Sequence, residues 1–164
     1  GALVVALADP LNVNILQGDQ SVFTRDVSMG GNAYTEAVQK ELHLPFDAAE
    51  QIKKGVPVDG ATFEDVRPVL HAVTENVFLE IQKTFDFFKA TTSSDRIDRL
   101  MLSGGASRVD GFRTMLQDRF GVTVEDFNPF RTVGWDGKKL GDAAEAAAPA
   151  AVAVGLALRR VGDR

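Results

Sequence analysis

The chain has 164 residues, of which 45% are hydrophobic, and it carries a formal net charge of -5 with no cysteine. This length and composition are sufficient to bury the core of one domain, or of two small subdomains that share a core. The acidic balance and the lack of a long basic run argue against a nucleic-acid partner. The lack of cysteine excludes disulfides and thiolate catalysis, and the two distant histidines do not form a zinc centre unaided.

Three strand-like segments open the chain. Leu3–Ala8 is an apolar run of strand length, and Val13–Leu16 and Ser21–Val27 are β-prone segments joined by a turn that contains Gly18. The intervening Asp9–Asn12 has turn chemistry, because proline fixes φ and short polar side chains satisfy the local backbone. We therefore expect three consecutive antiparallel strands.

A pair of glycines follows a strand at two places. Gly30-Gly31 comes after the third strand, and Gly104-Gly105 comes after the apolar segment Ile97–Leu102. In both cases an amphipathic helical pattern comes next. Paired glycines let a phosphate or ribose approach the main chain, and the N–H groups of the following helix favour such a ligand. The alternative is that the glycines serve only a tight turn.

Helical patterns fill the chain between the two glycine pairs. The first covers Tyr34–His43, and Asp47–Gly55 is a short helix with an acid near its start and lysines and glycine at its end. Thr62 is positioned to cap a long amphipathic helix that runs to about Ala90. Pro68 either kinks this helix or moves its start to a later residue.

The end of the chain contains a short strand, a loop and an apolar helix. Val122–Val124 has a strand pattern, and Arg131–Gly141 is rich in turn residues and predicts an exposed loop or hairpin. Within this loop, Trp135 either packs locally or contacts a partner. Ala143–Leu158 is alanine-rich and shorter than the roughly 20 residues that a membrane span needs. It predicts a buried helix opened by Pro149, and we expect no direct membrane insertion.

The order of these elements is similar to that in the second half of actin-like ATPases. More specific motifs are Val22–Asn32, Glu41-Leu42, Ala49-Glu50 with Lys53, Ser103–Ala106, Asn128–Phe130 and Ala150–Arg160. Together they closely resemble the type IV pilus assembly PilM family, whose members are relatives of the cell-division protein FtsA. The match covers nearly the whole chain. Since the chain begins without methionine or a basic leader, we expect it to be the carboxy-terminal half of a longer protein.

This resemblance implies a fold. The expected class is α/β, an actin-like ATPase (ribonuclease H-like) lobe in which a mixed sheet is flanked by helices and carries an inserted helical subdomain. Residues 1–164 would form the carboxy-terminal lobe. Within it, residues 1–31 and 91–164 would form the sheet subdomain, and residues 32–90 would form the largely helical subdomain.

The resemblance also implies a function. Members of the family are cytoplasmic scaffold proteins at the inner face of the inner membrane, where they take part in assembling the type IV pilus machine. They bind ATP, with Mg, between two lobes. They engage the cytoplasmic tail of the inner-membrane pilus protein PilN, together with other components of the machine.

A set of site residues follows from the same resemblance. Glu50 and Lys53 would lie beside the nucleoside, while Gly30 and Gly31 would approach the ribose or the phosphates. Carboxylates and lysines can hydrogen-bond ribose hydroxyls and adenine edges. The alternative is that Glu50 and Lys53 are only a solvated helix pair.

The second glycine bend supplies the remaining predicted contacts. The segment Ser103, Gly104 and Gly105 would pass under the adenosine, and Arg108 would flank the base. Glycines at this bend remove the side chains that would block such an approach.

The sequence departs from actin-like ATPases at the phosphate loop. Residues 8–12 lack the Asp-x-Gly pattern of the family, and Pro10 has no N–H to offer a phosphate. Either the loop is degenerate or some of its residues are missing, and Asp9 is either a remnant of the magnesium-associated acid or a turn aspartate. We identify no catalytic residue and expect this chain to hydrolyse ATP negligibly. The alternative function is an active ATPase or small-molecule kinase of the same superfold.

Overall fold

The computed structural model describes residues 2–7, 11–18, 20–92, 96–131 and 133–160. Its strands are β1 (Ala2–Leu7), β2 (Leu11–Gln17), β3 (Gln20–Val27), β4 (Arg99–Ser103) and β5 (Thr123–Asp126). Its helices are α1 (Gly31–Leu42), α2 (Phe46–Lys53), α3 (Phe63–Thr91), α4 (Phe112–Phe120), α5 (Gly137–Leu140) and α6 (Ala143–Ala157). Short 3-10 turns cover Gly105–Arg108 and Pro129–Arg131.

The strands form one mixed sheet in the order β3-β2-β1-β4-β5. β1, β2 and β3 are consecutive antiparallel neighbours, which confirms the expected meander. β4 pairs in parallel with β1 and with β5, so α1, α2 and α3 lie in the crossover from β3 to β4. The β2–β3 register shifts between Ile15 and Leu16, and Val22 has no opposite residue, which marks a β-bulge in β3.

α3 is the longest element, and its start follows from local chemistry. The Thr62 side chain accepts a hydrogen bond from the Asp65 N–H, and the Asp65 carboxylate accepts one from the Thr62 N–H. This capping box satisfies donors that the first turn leaves unpaired. The helix begins at Phe63 and includes Pro68, so a start delayed by the proline is wrong. The predicted cap at Thr62 is confirmed.

The core lies between one face of the sheet and the helices of the crossovers. Alternate residues of β2, Leu11, Val13 and Ile15, are buried, as are Leu100 and Leu102 of β4. The same core takes a helical stripe from α3 and two residues from α4, namely Val66, Leu70, Val73, Val77, Phe78, Ile81, Phe85, Phe88, Phe112 and Leu116. Each such side chain contributes about 1.5–3 kcal/mol by leaving water.

α6 differs from the sequence prediction in both its start and its burial. The helix begins at Ala143 and contains Pro149, instead of beginning at the proline. Val152 and Leu156 are 63% and 60% exposed, and Ala147 is the buried residue among the side chains described in this helix. The prediction of a buried helix is therefore wrong for α6 in this chain. No helix in the described ranges combines the length and apolar character needed to cross a bilayer.

The segment before α6 is organised around Trp135. Its ring lies 4.3 Å from the Phe130 ring between centroids, and its indole N–H donates to the Gly141 carbonyl at 2.9 Å. A short helix, α5, follows where an exposed loop or hairpin was predicted. Of the two roles left open for Trp135, local packing is the one that these contacts support.

Candidate functional site

The two glycine bends leave the sheet at the same edge. Val27 at the end of β3 is paired with Leu11, and Leu11 is paired with Leu7 at the end of β1. Ala6 of β1 is in turn paired with Ser103 at the end of β4. The carboxyl ends of β3, β1 and β4 therefore share one edge, so both glycine bends lie at that edge.

Two strands, β2 and β1, lie between the two bends along that edge. Because neighbouring strands lie about 4.8 Å apart, β3 and β4 are about 14 Å apart in a sheet of this order. A ligand in contact with both bends must therefore extend across the ends of β1 and β2.

The bend after β4 is buried at Gly104 and exposed at Gly105. Gly104 has φ +91, which favours glycine, and its carbonyl accepts from the Ser107 hydroxyl at 2.7 Å. A methyl group built on Gly105 would meet no atom of the described residues within 4 Å, apart from its own chain neighbours. Ser103 is buried and Arg108 is exposed. Gly105 is thus the point at which this bend offers open space.

The bend after β3 is held by the Glu50–Lys53 pair. Lys53 Nζ donates to the Gly31 carbonyl at 3.3 Å and to Thr35 Oγ1 at 2.8 Å, and it forms a salt bridge with Glu50. An ammonium group has three N–H donors, so these contacts use its full capacity. The structure therefore brings three of the predicted site residues, Gly31, Glu50 and Lys53, together and fixes α2 to the first turn of α1.

Thr35 completes this cluster and was missed by the sequence reasoning. Its side chain is fully buried, and its hydroxyl donates to the Glu50 carboxylate while accepting from Lys53. A detectable signal was its place between Tyr34 and Val38 on the inner face of α1. The Lys53 side chain is only 12% exposed. The solvated helix pair that was considered for Glu50 and Lys53 is therefore wrong.

The electrostatics keep Glu50 ionised. Partial burial raises the pKa of the Glu50 carboxyl, but hydrogen bonds from Lys53 and Thr35 outweigh it, so the pKa lies below its usual value. Lys54 Nζ, 3.3 Å from the second carboxylate oxygen, acts in the same direction. The cluster is consequently a charged, hydrogen-bonded brace at neutral pH.

The predicted metal ligand Asp9 lies outside the described residues. Within the ranges that the structure describes, no three carboxylate or imidazole side chains come close enough to share a metal ion. Magnesium binding therefore stays a prediction.

A comparison with known protein families identifies the family to which this chain belongs. The sequence model of the family described as type IV pilus assembly protein PilM matches residues 2–161. The chain belongs to the PilM family. A structure titled PilM-PilN type IV pilus biogenesis complex is similar with a TM-score of 0.83 and 28% identity. That match covers 96% of this chain and 45% of the other, so the chain spans less than half of that PilM-family structure.

More distant structures agree on the fold of this PilM-family chain. MreB 5 of Spiroplasma citri bound to AMPPNP matches with a TM-score of 0.69 and 13% identity, over 98% of this chain and 53% of the other. Ethanolamine utilization protein EutJ from Carboxydothermus hydrogenoformans matches with a TM-score of 0.57 and 19% identity, over 76% and 43%. At these identities the likeness concerns the fold alone. The predicted actin-like ATPase fold is confirmed.

Proposed function

We propose that this chain is the carboxy-terminal lobe of a scaffold protein that assembles the type IV pilus machine. The observation that carries the proposal is the family match over residues 2–161. In the proposal the protein acts at the cytoplasmic face of the inner membrane. There it engages the cytoplasmic tail of PilN and contacts other components of the machine. A solved PilM-PilN complex whose chain is 28% identical to this one supports PilN as the partner.

We further propose that ATP, with magnesium, binds between this lobe and a second lobe. The shared edge of the two glycine bends and the open space at Gly105 support a ligand that lies on bare main chain. Lys53 braces the Gly31 carbonyl, so in this proposal the cluster holds the bend in place while the nucleotide contacts its backbone.

The exposed stripe on α6 supports a second lobe. Val152 and Leu156 lie one turn apart, and both are largely exposed. Exposed apolar stripes on helices mark surfaces that another element covers. The matched PilM-family structure is more than twice as long as this chain. In this proposal, the additional residues of the longer protein form the element that covers α6.

The experiment is an ATP and peptide titration of the full-length protein by calorimetry. Gly105→Val places a branched side chain in the open bend and should weaken ATP binding about tenfold, or about 1.4 kcal/mol. Gly134→Val is the matched control, because Gly134 also has open space around it and a φ outside the left-handed region. A synthetic peptide of the PilN cytoplasmic tail should bind both variants as it binds the wild type.

Each outcome tests one part of the proposal: the nucleotide site, the binding of PilN, or the absence of rapid ATP hydrolysis. Equal ATP affinity of the two glycine variants would remove the Gly105 bend from the nucleotide site. Failure of the PilN peptide to bind the wild type would contradict the assembly function. Phosphate release at a rate well above that of a heat-inactivated sample would favour the alternative of an active ATPase.

A further inference from the structure

Thr35 is the uncharged side chain of the cluster that joins α1 to α2. It is fully buried, and its hydroxyl accepts a hydrogen bond from Lys53 Nζ at 2.8 Å and donates to Glu50 Oε1. The Gly31 carbonyl, at 3.5 Å, is a more distant acceptor for the same proton. Hydrogen bonds to ionised groups are stronger than those between neutral groups. The direction of the Thr35 hydroxyl is therefore set by a cation on one side and an anion on the other.

The two oxygens of the Glu50 carboxylate are held differently. Oε1 accepts from Thr35, which is fully buried, and from Lys53, whose side chain is only 12% exposed. Oε2 lies 3.3 Å from Lys54 Nζ, and the Lys54 side chain is 67% exposed. A pair with an exposed, flexible lysine contributes little, because water screens the charges and holding the lysine costs entropy. Oε2 is therefore the oxygen whose present partner a ligand hydroxyl can replace most easily.

The cluster lies close to the bend after β3. α1 begins at Gly31, just after β3 ends at Val27, and Lys53 Nζ donates to the Gly31 carbonyl at 3.3 Å. Glu50 is thus linked through one lysine side chain to the main chain that is proposed to contact the nucleotide. Carboxylate oxygens accept hydrogen bonds from hydroxyl groups such as those of a ribose.

We propose that Thr35 is a positioning residue for nucleotide binding, which holds Glu50 by Oε1 so that Oε2 accepts a hydrogen bond from a ribose hydroxyl in place of Lys54. Thr35 itself touches no part of the ligand, because its hydroxyl is buried and already has a donor and an acceptor. A carboxylate that is fixed in advance loses less conformational freedom on binding, so its contact with the ligand is stronger. The inference rests on the proposed nucleotide site and deepens it by naming the group that selects ribonucleotides over their deoxy forms.

The experiment compares ATP with 2′-deoxy-ATP and 3′-deoxy-ATP, by calorimetry on the full-length protein. The wild type should bind ATP about tenfold more tightly than at least one deoxy form, as expected for a hydrogen bond to a charged group. Thr35→Val keeps the shape of the side chain and removes the hydroxyl, so this ratio should fall to about twofold. Thr35→Ser keeps the hydroxyl and should keep the wild-type ratio, although the loss of a buried methyl group should lower its melting temperature.

The matched control is Thr84→Val, on α3. Thr84 is also fully buried, and its hydroxyl accepts from Arg25 at 3.3 Å and donates to the Glu80 carbonyl at 2.8 Å. This variant should lose stability in thermal unfolding but keep the wild-type nucleotide ratio. If Thr35 only tied α1 to α2, the ratio would instead follow stability across these variants.

Four results would overturn the inference and leave the nucleotide site in place. These are equal affinity of the wild type for all three nucleotides, a ratio unchanged by Thr35→Val, a ratio lost in Thr35→Ser, and a ratio lost equally in Thr84→Val. A wild type that binds none of the three nucleotides would instead contradict the proposed nucleotide site, and the inference with it. If Thr35→Val does not fold, Thr35→Ala takes its place, because it differs from Thr35→Ser by the hydroxyl alone and should lose the ratio that serine keeps.

Discussion

The two glycine bends leave the same edge of the sheet, but they are held in different ways. The Gly31 carbonyl accepts a hydrogen bond from Lys53, which is fixed in turn by Thr35 and Glu50. Around Gly105, no atom of the described residues other than its chain neighbours lies within 4 Å of the position that a side chain would take. One bend is therefore braced by a partly buried ionic cluster, and the other is open at Gly105. Two glycine pairs that both follow a strand and precede a helix can therefore have different structural roles.

The largest effect is expected from removing the brace. Glu50→Ala leaves the nearly buried Lys53 ammonium without its anion and should lower the free energy of unfolding by about 2 kcal/mol. The control is Glu64→Ala, because Glu64 and Arg67 form an exposed pair with the same three-residue spacing. It should cost about 0.5 kcal/mol or less. Urea denaturation of both variants measures the difference, and equal losses would mean that the cluster is not a brace.

An intermediate effect is expected at the open bend. Gly104→Ala forces a side chain into a backbone with φ +91 and should destabilise the protein by about 1 kcal/mol or more. Gly105→Ala should change stability by less than about 0.5 kcal/mol, because the added methyl meets no neighbour. Thermal unfolding of the two single variants compares them. A larger loss for Gly105→Ala would contradict the open geometry.

The smallest effect is on the pH dependence of stability, which should differ between variants at the two bends. The pKa of Glu50 lies below its usual value, so the native state favours the carboxylate more than the unfolded state does. The contribution of the Glu50 carboxylate to the free energy of unfolding is fully present above the usual carboxyl pKa of about 4.3. It is lost as pH falls through the pKa that Glu50 has in the folded state. The stability advantage of the wild type over Glu50→Gln should therefore be constant near neutral pH and shrink below about pH 4.3. Gly105→Ala, compared in the same acid series, should show no such pH-dependent difference. A wild-type advantage over Glu50→Gln that persists in acid would show that the carboxylate charge is not responsible.

Much of the fold was predictable from local signals. The meander follows from alternating apolar residues and the Gly18 turn, and the start of α3 follows from the Thr62 cap. Both signals act within a few residues, where physical chemistry leaves few alternatives.

The remaining features depend on contacts between distant parts of the chain. The role of Thr35 requires α1 and α2 to pack together, and residue spacing in the sequence does not predict that packing. The apolar composition of α6 suggested burial, but composition does not specify which element covers Val152 and Leu156. Proline is favoured in the first turn of a helix, which is the basis for predicting a start at Pro149, but α6 begins at Ala143 and contains the proline.

The pairing of β1 with β4 has a consequence for how the protein is made. Ala2 is paired with Arg99, roughly 100 residues later, so the centre of the sheet closes only after α1, α2 and α3 have emerged from the ribosome. Until then the nascent meander has β1 as an unprotected border. Because β1 lies between the two bends in the sheet, their alignment requires the β1–β4 pairing and is not set by a single hairpin or helix.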